Sequence, residues 1–407
     1  MNENGRESTG GTALVQRLLD DRSHHIEFNG HLTNHVKHAV VALAGLGTPP
    51  ERIKRYHDTY ARLTPYGYGL EPARGSRHTI TESTWQEHLG QRTSFSAYCD
   101  FFDRQERDLG MAEVLNRYLP LLLPGWVGAF THATIHVGWA LDAGSRWMTV
   151  EGLAYMAFSS VDCHPERMSP DTADSAGETP VDSLLRFAGA WEGGSPGLPE
   201  RVRKVLDDTS PEAVAGMPAE LLRSGLQYRI ARMLREGDPL VYRTPAWAAD
   251  QPSATSWEQL YYAVTLLYLA RPGDFVLLHL ITSLHAMEQI SLRLPEERRR
   301  WVVALYWTGL LCIVLSEGGF PARAKLAALH RAFKDSSDGP GDPLAERDWA
   351  HLVARAVEEE EEHNPKLVYV LRRVWDRTGG VSLFRAAAGQ FTTTPELPPS
   401  FEEPPAE

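Results

Sequence analysis

The chain has 407 residues, 43% of them hydrophobic and 23% charged, and this length can bury one large core or two that share an interface. It carries 53 acidic side chains against 41 Lys and Arg, which gives a formal net charge of −12 at pH 7. Proteins that bind a phosphate backbone need clustered Lys and Arg to displace counterions, and the sequence has no such stripe. The composition therefore argues against a nucleic-acid partner.

Apolar residues recur at spacings of three and four along most of the chain, and strict alternation is rare. This periodicity predicts an all-α, multi-helical globular fold. In chain order, the predicted helices are 12–21, 32–45, 50–62, 94–107, 111–122, 127–142, 147–158, 217–235, 256–270, 274–292, 297–316, 345–362 and 366–377. Helix punctuation supports the list: Pro49 and Pro50 predict the start of the third helix, and Gly45 and Gly47 the end of the second.

Segments rich in Ser, Asp, Gly and Pro interrupt this helical pattern. They lie at 160–182, 190–200 and 335–343. We therefore expect one helical domain over 25–390, with 25–160 and 200–390 as candidate halves. A partly disordered N-terminal segment, 1–24, is expected before this domain, and an acidic, Pro-rich, disordered tail, 391–407, after it.

Cysteine usage and hydropathy predict a cytoplasmic protein. The three cysteines, Cys99, Cys163 and Cys312, are far apart and form no CxxC pair, which fits a reduced compartment. The polar N-terminus has no apolar stretch of the signal-peptide type. The longest apolar run begins at Trp301 and has 15 residues, fewer than the roughly 20 that cross a bilayer. We interpret it as a buried helix and expect no membrane partner.

The sixteen histidines include several inside apolar segments. The clusters are His31, His35 and His38; His132 and His136; His279 and His285; and His363. At 3.6 residues per turn, the members of the first cluster would share a helix face, as would those of the second, whereas the third pair points to different sides. Buried imidazoles without partners cost roughly 1–3 kcal/mol each. A shared metal site and ordinary hydrogen-bonded core histidines both stay open, and imidazole alone does not select among Fe, Zn, Cu and Ni.

Other signatures of chemistry are weaker. The sequence has no GxGxxG after a strand, no GxxxxGK[ST] and no HExxH, which argues against Rossmann, P-loop and zincin sites. GxSxG occurs once, as GGSPG at 193–197, inside the loop segment 190–200 rather than between a predicted strand and a predicted helix, which argues against a serine-hydrolase site. Several aromatic residues in predicted helices either line a pocket for a flat aromatic ligand or belong to the core. They are Trp126, Trp139, Trp301, Tyr306 and Trp307.

The stretch EEEEEHNPKLVYV, 358–370, combines five carboxylates with a lysine before an apolar run. We expect the glutamates to form a solvated helix face or end. Asn364 and Pro365 predict a helix start with Asn364 as the cap and Pro365 at the first helical position. An ordinary interpretation of Lys366 is a side chain that packs its methylenes and extends its ammonium to Glu362 or to solvent.

These histidine segments resemble the questin oxidase-like family, whose members oxidatively open an anthraquinone ring in aromatic polyketide pathways. The resemblance covers about 25–376. Its anchors are FNGHLTNHVKHAVVALAGLG, THATIHVGWAL followed by VEGLAYMAF, DFVLLHLITSLHAM and EEHNPKLVYVL. The order and spacing of these segments, rather than any one of them, carry the match.

The resemblance implies a buried, central non-haem iron with O2 as co-substrate. The implied metal ligands are His35, His132, His279, His363 and Lys366. Lys366 would be carboxylated on its amine, since an apolar site disfavours the ammonium form and a neutral amine can take up CO2. His136 is an additional histidine that could replace or assist His132. Lys366 and His136 are therefore the candidate catalytic residues.

Three functions are kept open. The first is an iron-dependent oxygenase that cleaves a ring of an anthraquinone-like polyketide, a small-molecule substrate. The second is a Baeyer–Villiger type monooxygenase on the same substrates that takes electrons from NADPH, although the dinucleotide fingerprint is missing. The third is a non-catalytic helical scaffold or ligand-binding protein in which the histidines are structural. The sequence does not indicate an oligomeric state.

Overall fold

The computed structural model describes residues 3–171, 177–193, 197–339 and 341–395. Its α-helices are α1 (Glu3–Leu19), α2 (Val36–Gly45), α3 (Pro50–Arg62), α4 (Phe95–Leu109), α5 (Met111–Leu122), α6 (His132–Ala143), α7 (Arg146–Phe158), α8 (Pro180–Glu192), α9 (Leu198–Asp207), α10 (Pro211–Val214), α11 (Ala219–Leu222), α12 (Leu226–Glu236), α13 (Ala246–Ala249), α14 (Ser253–Ala270), α15 (Phe275–Ser291), α16 (Glu296–Ser316), α17 (Arg323–Phe333), α18 (Pro343–Glu358), α19 (His363–Arg377) and α20 (Ser382–Ala388). The predicted all-α fold is confirmed.

Within these described ranges, the strands are four two-residue pieces. They are β1 (Glu27–Phe28), β2 (Leu32–Thr33), β3 (Ser169–Pro170) and β4 (Arg243–Thr244). The first pair is an antiparallel hairpin and the second pair is parallel. The hairpin is a correction to the predicted helix 32–45, because α2 begins only at Val36. His31 therefore lies exposed in the hairpin turn and does not share a helix face with His35 and His38.

Three other predicted helices differ from the observed ones. The predicted helix 127–142 begins at His132, after a left-handed turn. The predicted helix 217–235 is divided between α11 and α12, where Gly225 has a positive φ of 57°. The predicted helix 345–362 ends at Glu358, and α19 begins five residues later at His363. In each case a local backbone break overrides a continuous apolar periodicity.

Two glycines let the helices of the centre approach closely. A Cβ at Gly138 of α6 would lie 2.3 Å from the Ala286 Cα of α15, and a Cβ at Gly152 of α7 would lie 2.8 Å from the Val137 backbone nitrogen of α6. Only a residue without a side chain fits between backbones at such distances. α6 is thus fixed between α7 and α15, which brings side chains from distant parts of the sequence together.

The apolar run that begins at Trp301 lies in α16. This helix is long and apolar enough to cross a membrane by length and composition, but 83% of its apolar window is buried inside the protein. The aromatic residues Trp126 and Tyr306 pack on each other with centroids 5.2 Å apart, and Trp126 Nε1 donates to the Leu305 carbonyl at 3.3 Å. These contacts favour the core interpretation of the predicted aromatic set.

The three cysteines are free and buried, as a reduced compartment would allow. α1 is longer than the predicted helix 12–21. The boundaries proposed at 24 and 390, the two halves and the cytoplasmic location stay predictions. Most of the predicted acidic tail, from residue 396 onwards, lies outside the described residues.

Candidate metal centre

Four imidazoles from four distant segments form a closed ring in the interior. His35 precedes α2, His132 and His363 are the first residues of α6 and α19, and His279 lies in α15. Neighbouring ring centroids are 4.6 Å apart for His35 and His132, and 4.7 Å apart for the other three pairs around the ring. All four residues are buried. The structure thus brings together the four histidines that the resemblance implies as metal ligands.

A strained turn directs His132 into this ring. Ala129, Phe130 and Thr131 have positive φ angles of 50°, 51° and 68°. Such angles are uncommon for residues with side chains, and each costs about 1–3 kcal/mol. The Phe130 N–H donates to Gln227 Oε1, which holds the turn from the side of α12. Consecutive left-handed residues of this kind persist only where the surrounding structure determines them.

The Nδ1 atoms of three of these rings face oxygen acceptors. His132 Nδ1 lies 2.7 Å from the Ala129 carbonyl, His279 Nδ1 lies 2.7 Å from the Phe275 carbonyl, and His363 Nδ1 lies 2.6 Å from Glu361 Oε1. A ring nitrogen that faces a carbonyl or carboxylate oxygen must carry the proton. Each ring therefore presents an unprotonated Nε2.

These Nε2 atoms are potential metal ligands, and they do not form hydrogen bonds with one another. The Nε2 atoms of His132 and His279 are 2.9 Å apart, so their lone pairs face each other. His363 Nε2 is buried and has no hydrogen-bond partner among the described residues. Burial is the main cause that lowers the pKa of all four imidazoles well below the usual value, so the rings are neutral. Neutral, convergent imidazoles fit a bound cation.

Lys366 lies beside the ring and is completely buried. Its Nζ is 3.0 Å from His35 Nδ1. The predicted helix start was wrong, because α19 begins at His363 rather than with Asn364 as a cap. Pro365 is tolerated there since the first turn of a helix has no internal acceptors for its N–H groups. His363 and Lys366 therefore lie one turn apart on the same helix and both reach the site.

Two of the five glutamates are buried, which corrects the expectation of a solvated run. Glu361 accepts from the His363 Nδ1 and, through Oε2, from the His363 and Asn364 backbone N–H groups at 2.8 and 3.2 Å. Glu362 is fully buried, and the Tyr60 hydroxyl donates to it at 3.4 Å. Burial raises the pKa of both carboxyls, and burial also lowers the pKa of Lys366. The N-terminus of α19 attracts such acidic groups.

His136 lies outside the ring and contacts it through another histidine. His38 Nδ1 is 3.3 Å from His35 Nδ1, and His38 Nε2 is 2.9 Å from His136 Nδ1. His136 Nε2 is 3.5 Å from Glu151 Oε2, a long contact, and the same oxygen accepts from Lys37 Nζ at 2.5 Å. Sequence reasoning missed Glu151 and Lys37. Their signal was a single charge inside an otherwise apolar helical stretch.

A cleft of about 270 Å³ opens on the side of the strained turn. Its wall includes Ala129, whose carbonyl accepts from His132, and Gln227, which holds the turn. Its wall carries Arg92 and Arg235 together with the carboxylates of Asp162 and Glu220, and Phe158 gives it an aromatic surface. The cleft wall thus lies one hydrogen bond away from a histidine of the ring.

Fold and site define a class: an all-α protein that encloses a candidate metal centre of buried imidazoles. Comparison with known proteins is more specific. The family model described as questin oxidase-like matches residues 32–371, so the chain belongs to the questin oxidase-like family. This range contains all four histidines and Lys366.

A curated relative that matches part of the chain is an oxidase. The Baeyer-Villiger oxidase AgnL3 of Paecilomyces divaricatus is 29% identical over 161 residues, which cover 36% of this chain and 34% of the relative. The match thus spans about a third of that relative's length. The names of the family and of the relative indicate an oxidoreductase of the oxidase or oxygenase type.

Proposed function

We propose that the protein is a non-haem iron-dependent oxygenase that cleaves a ring of an anthraquinone-like aromatic polyketide, with O2 as co-substrate. One observation carries the proposal. Four neutral imidazoles converge in a buried ring, and at least three of them present an Nε2 lone pair that no protein donor satisfies among the described residues. Family membership supplies the reaction class.

In this proposal His35, His132, His279 and His363 hold the iron, and Lys366 contributes as a carbamate. The neutral amine of Lys366 would attack the carbon of CO2, form a C–N bond and release one N–H proton, leaving a singly negative oxygen ligand. Bound iron would supply the redox centre at which O2 is reduced. A charged ammonium beside a cation would instead be repelled in this low-dielectric interior, which supports the neutral amine.

The cleft beside Ala129 is the proposed entrance for the substrate. Its volume of about 270 Å³ is close to the lower end of the roughly 300–1,000 Å³ of small-molecule sites, which suits a compact fused-ring compound. In this proposal Arg235 pairs with the deprotonated, electron-rich form of a phenolic substrate, while the Asp162 and Glu220 carboxylates of the same wall leave the cleft as a whole without a net positive charge. Such a substrate can itself provide electrons for the reduction of O2.

A second candidate is a Baeyer–Villiger monooxygenase that uses NADPH, and the similarity to a Baeyer-Villiger oxidase favours it. Two measurements separate the candidates. Substrate-dependent NADPH consumption, followed by absorbance, is expected only for the second. Incorporation of label from 18O2 into a ring-opened product without NADPH is expected for the first.

Elemental analysis of protein purified without a histidine tag tests the proposal most directly. We expect about one iron per chain and loss of activity on chelation that added Fe(II) restores. Only trace transition metal, together with unchanged activity after chelation, would contradict the iron centre. The absence of both metal and turnover would favour a non-catalytic helical protein with structural histidines.

A further inference from the structure

His35 differs from the other three histidines of the ring in one respect. The Nδ1 atoms of His132, His279 and His363 each face an oxygen, whereas the partners of His35 Nδ1 within the described part of the chain are nitrogens. Those nitrogens are His38 Nδ1 at 3.3 Å and Lys366 Nζ at 3.0 Å. Either nitrogen can donate or accept, depending on its protonation. The immediate surroundings therefore leave the tautomer of His35 open, although it decides which of its two nitrogens can bind a metal.

His35, His38 and His136 lie in contact in that order and form a series that we call the histidine chain. A fixed hydrogen-bond acceptor lies at the end of this series that is remote from His35. Glu151 is buried in α7, and its Oε2 receives Lys37 Nζ at 2.5 Å. Lys37 Nζ also donates to the Asp21 carbonyl at 2.7 Å. Burial opposes ionisation of Glu151, but the Lys37 ammonium and the contact with His136 hold the pKa of this carboxyl below its usual value. An ionised carboxylate accepts hydrogen bonds and donates none.

We propose that Glu151, acting through His136 and His38, fixes the proton of His35 on Nδ1 and so leaves His35 Nε2 free for the metal. Glu151 and Lys37 are positioning residues in this role, because neither touches the ring. The inference rests on the proposed metal centre. It adds a positioning role for Glu151 and Lys37, two charged residues that are not themselves proposed ligands.

The assignment follows from alternating donors and acceptors. Glu151 Oε2 lies 3.5 Å from His136 Nε2, a distance at which no hydrogen bond is formed, but the buried negative charge favours the tautomer of His136 that carries its proton on Nε2. His136 Nδ1 then accepts from His38 Nε2 at 2.9 Å. His38 Nδ1 is then an acceptor, and His35 Nδ1–H donates to it at 3.3 Å. In the metal-free protein, before any carboxylation, the neutral Lys366 amine can accept from the same Nδ1–H.

The reverse arrangement of donors and acceptors along the three histidines is disfavoured by one contact. If Lys366 donated to His35 Nδ1, then His38 Nδ1 would donate to the same atom and His38 Nε2 would accept from His136 Nδ1–H. His136 Nε2, which has no hydrogen-bond partner among the described residues, would then direct a lone pair at the Glu151 carboxylate 3.5 Å away. Such an acceptor-to-acceptor contact in the interior is unfavourable. The charge on Glu151 thus selects one donor-to-acceptor direction for the hydrogen bonds that join His136, His38 and His35.

Spectra of the metal-free, full-length protein labelled with 15N-histidine test this directly. Long-range 1H–15N correlation distinguishes the two tautomers of each ring, and His35→Gln assigns the signal of His35. We expect His35 as the Nδ1–H tautomer in the wild type. Observation of His35 as the Nε2–H tautomer would overturn the proposal without any variant.

Two variants then interrupt the chain at different points. His38→Leu removes the neighbouring acceptor, and the double variant Lys37→Met, Glu151→Leu removes both buried charges together, so that neither is left unpaired. In each we expect the Nε2–H tautomer of His35 to become populated, and the affinity for Fe(II), measured by chelator competition, to fall roughly 10–100-fold. Unchanged tautomer and affinity in a folded variant would overturn the proposal.

Asp142→Asn is the matched control. Asp142 Oδ2 lies 3.1 Å from His285 Nε2, so this change also removes the carboxylate partner of a buried histidine, but outside the chain. It should leave the tautomer of His35 unchanged, and a change as large as that in His38→Leu would count against a directed chain. A wild-type protein with the expected tautomer that nevertheless binds no iron would support the chain and contradict the proposed function.

Discussion

The Nε2 atoms of His132 and His279 lie 2.9 Å apart, while Nδ1 of each ring donates to a backbone carbonyl at 2.7 Å. Two neutral rings in this arrangement direct lone pairs at each other across a buried space. A cation between them would turn this repulsion into attraction on both sides. Substitution of one of these two histidines is therefore the most direct test of the metal centre.

We expect His279→Ala to lose most of the bound metal, with an affinity reduced at least about 10-fold, while the far-UV circular dichroism stays helical. The reason is that the change removes a ligand and no helix cap. His285→Ala, six residues later on the same helix, is the control and should retain the metal, because His285 contacts Asp142 and not the ring. Equal metal loss in both variants, or unfolding of His279→Ala alone, would favour a structural role.

Lys366→Met should sharply reduce turnover, since it removes the side chain that contacts the ring at His35 and that would become an oxygen ligand by carboxylation. Methionine keeps the length and apolar packing of the side chain, so the fold should persist. Protein prepared with 13C-bicarbonate should show a carbamate resonance that this variant lacks. Wild-type iron content and turnover in Lys366→Met would exclude the ligand role. The exposed Lys54, changed to Met, serves as the control.

The charge of Asp142 should contribute to stability above acid pH. His285, Tyr369 and Arg373 contact this carboxyl, and against the opposing effect of burial they lower its pKa to about 2, from a reference of 3.8. A lowered pKa gives stabilisation that is complete above the unfolded value and is lost as the pH falls through the folded value. We expect Asp142→Asn to cost about 1–2 kcal/mol near neutral pH.

This difference should shrink as the pH falls from about 4 towards 2. Urea unfolding of both proteins across that range measures it. A difference that is constant with pH would show that packing, rather than charge, accounts for the effect.

Gly138→Ala should destabilise the protein by about 1–3 kcal/mol or more, because the new Cβ would lie 2.3 Å from the Ala286 Cα and α6 and α15 would have to separate. Since both helices carry histidines of the ring, metal affinity should fall as well. Gly75→Ala is the control, because a Cβ there meets nothing within 4 Å and the position is exposed. Equal melting temperatures of the two variants would contradict the close-packing argument.

The sequence was sufficient for the helical class, because the spacing of apolar residues is a local signal. The same pattern indicated histidines in apolar segments, but the family resemblance was needed to select His35, His132, His279 and His363 among them, and their role as ligands stays a prediction. The sequence was insufficient where the outcome depends on distant contacts. The hairpin that removes His31 from the helix face pairs only two residues per strand, too few for an alternating pattern. Glu361 and Glu362 have the composition of a solvated run, yet the N-terminus of α19 and the Tyr60 hydroxyl bury them.

The separation of the ring along the chain has a consequence for the order in which the protein becomes functional. His35 and Lys366 are in contact across 331 positions, so the centre cannot exist until nearly the whole family domain has been synthesised. Closing a loop of that length costs roughly 5 kcal/mol of chain entropy. An ion held by both ends would act as a reversible cross-link, one that forms only after translation has passed residue 366. Metal supply would then set the lifetime of the folded chain as well as its activity.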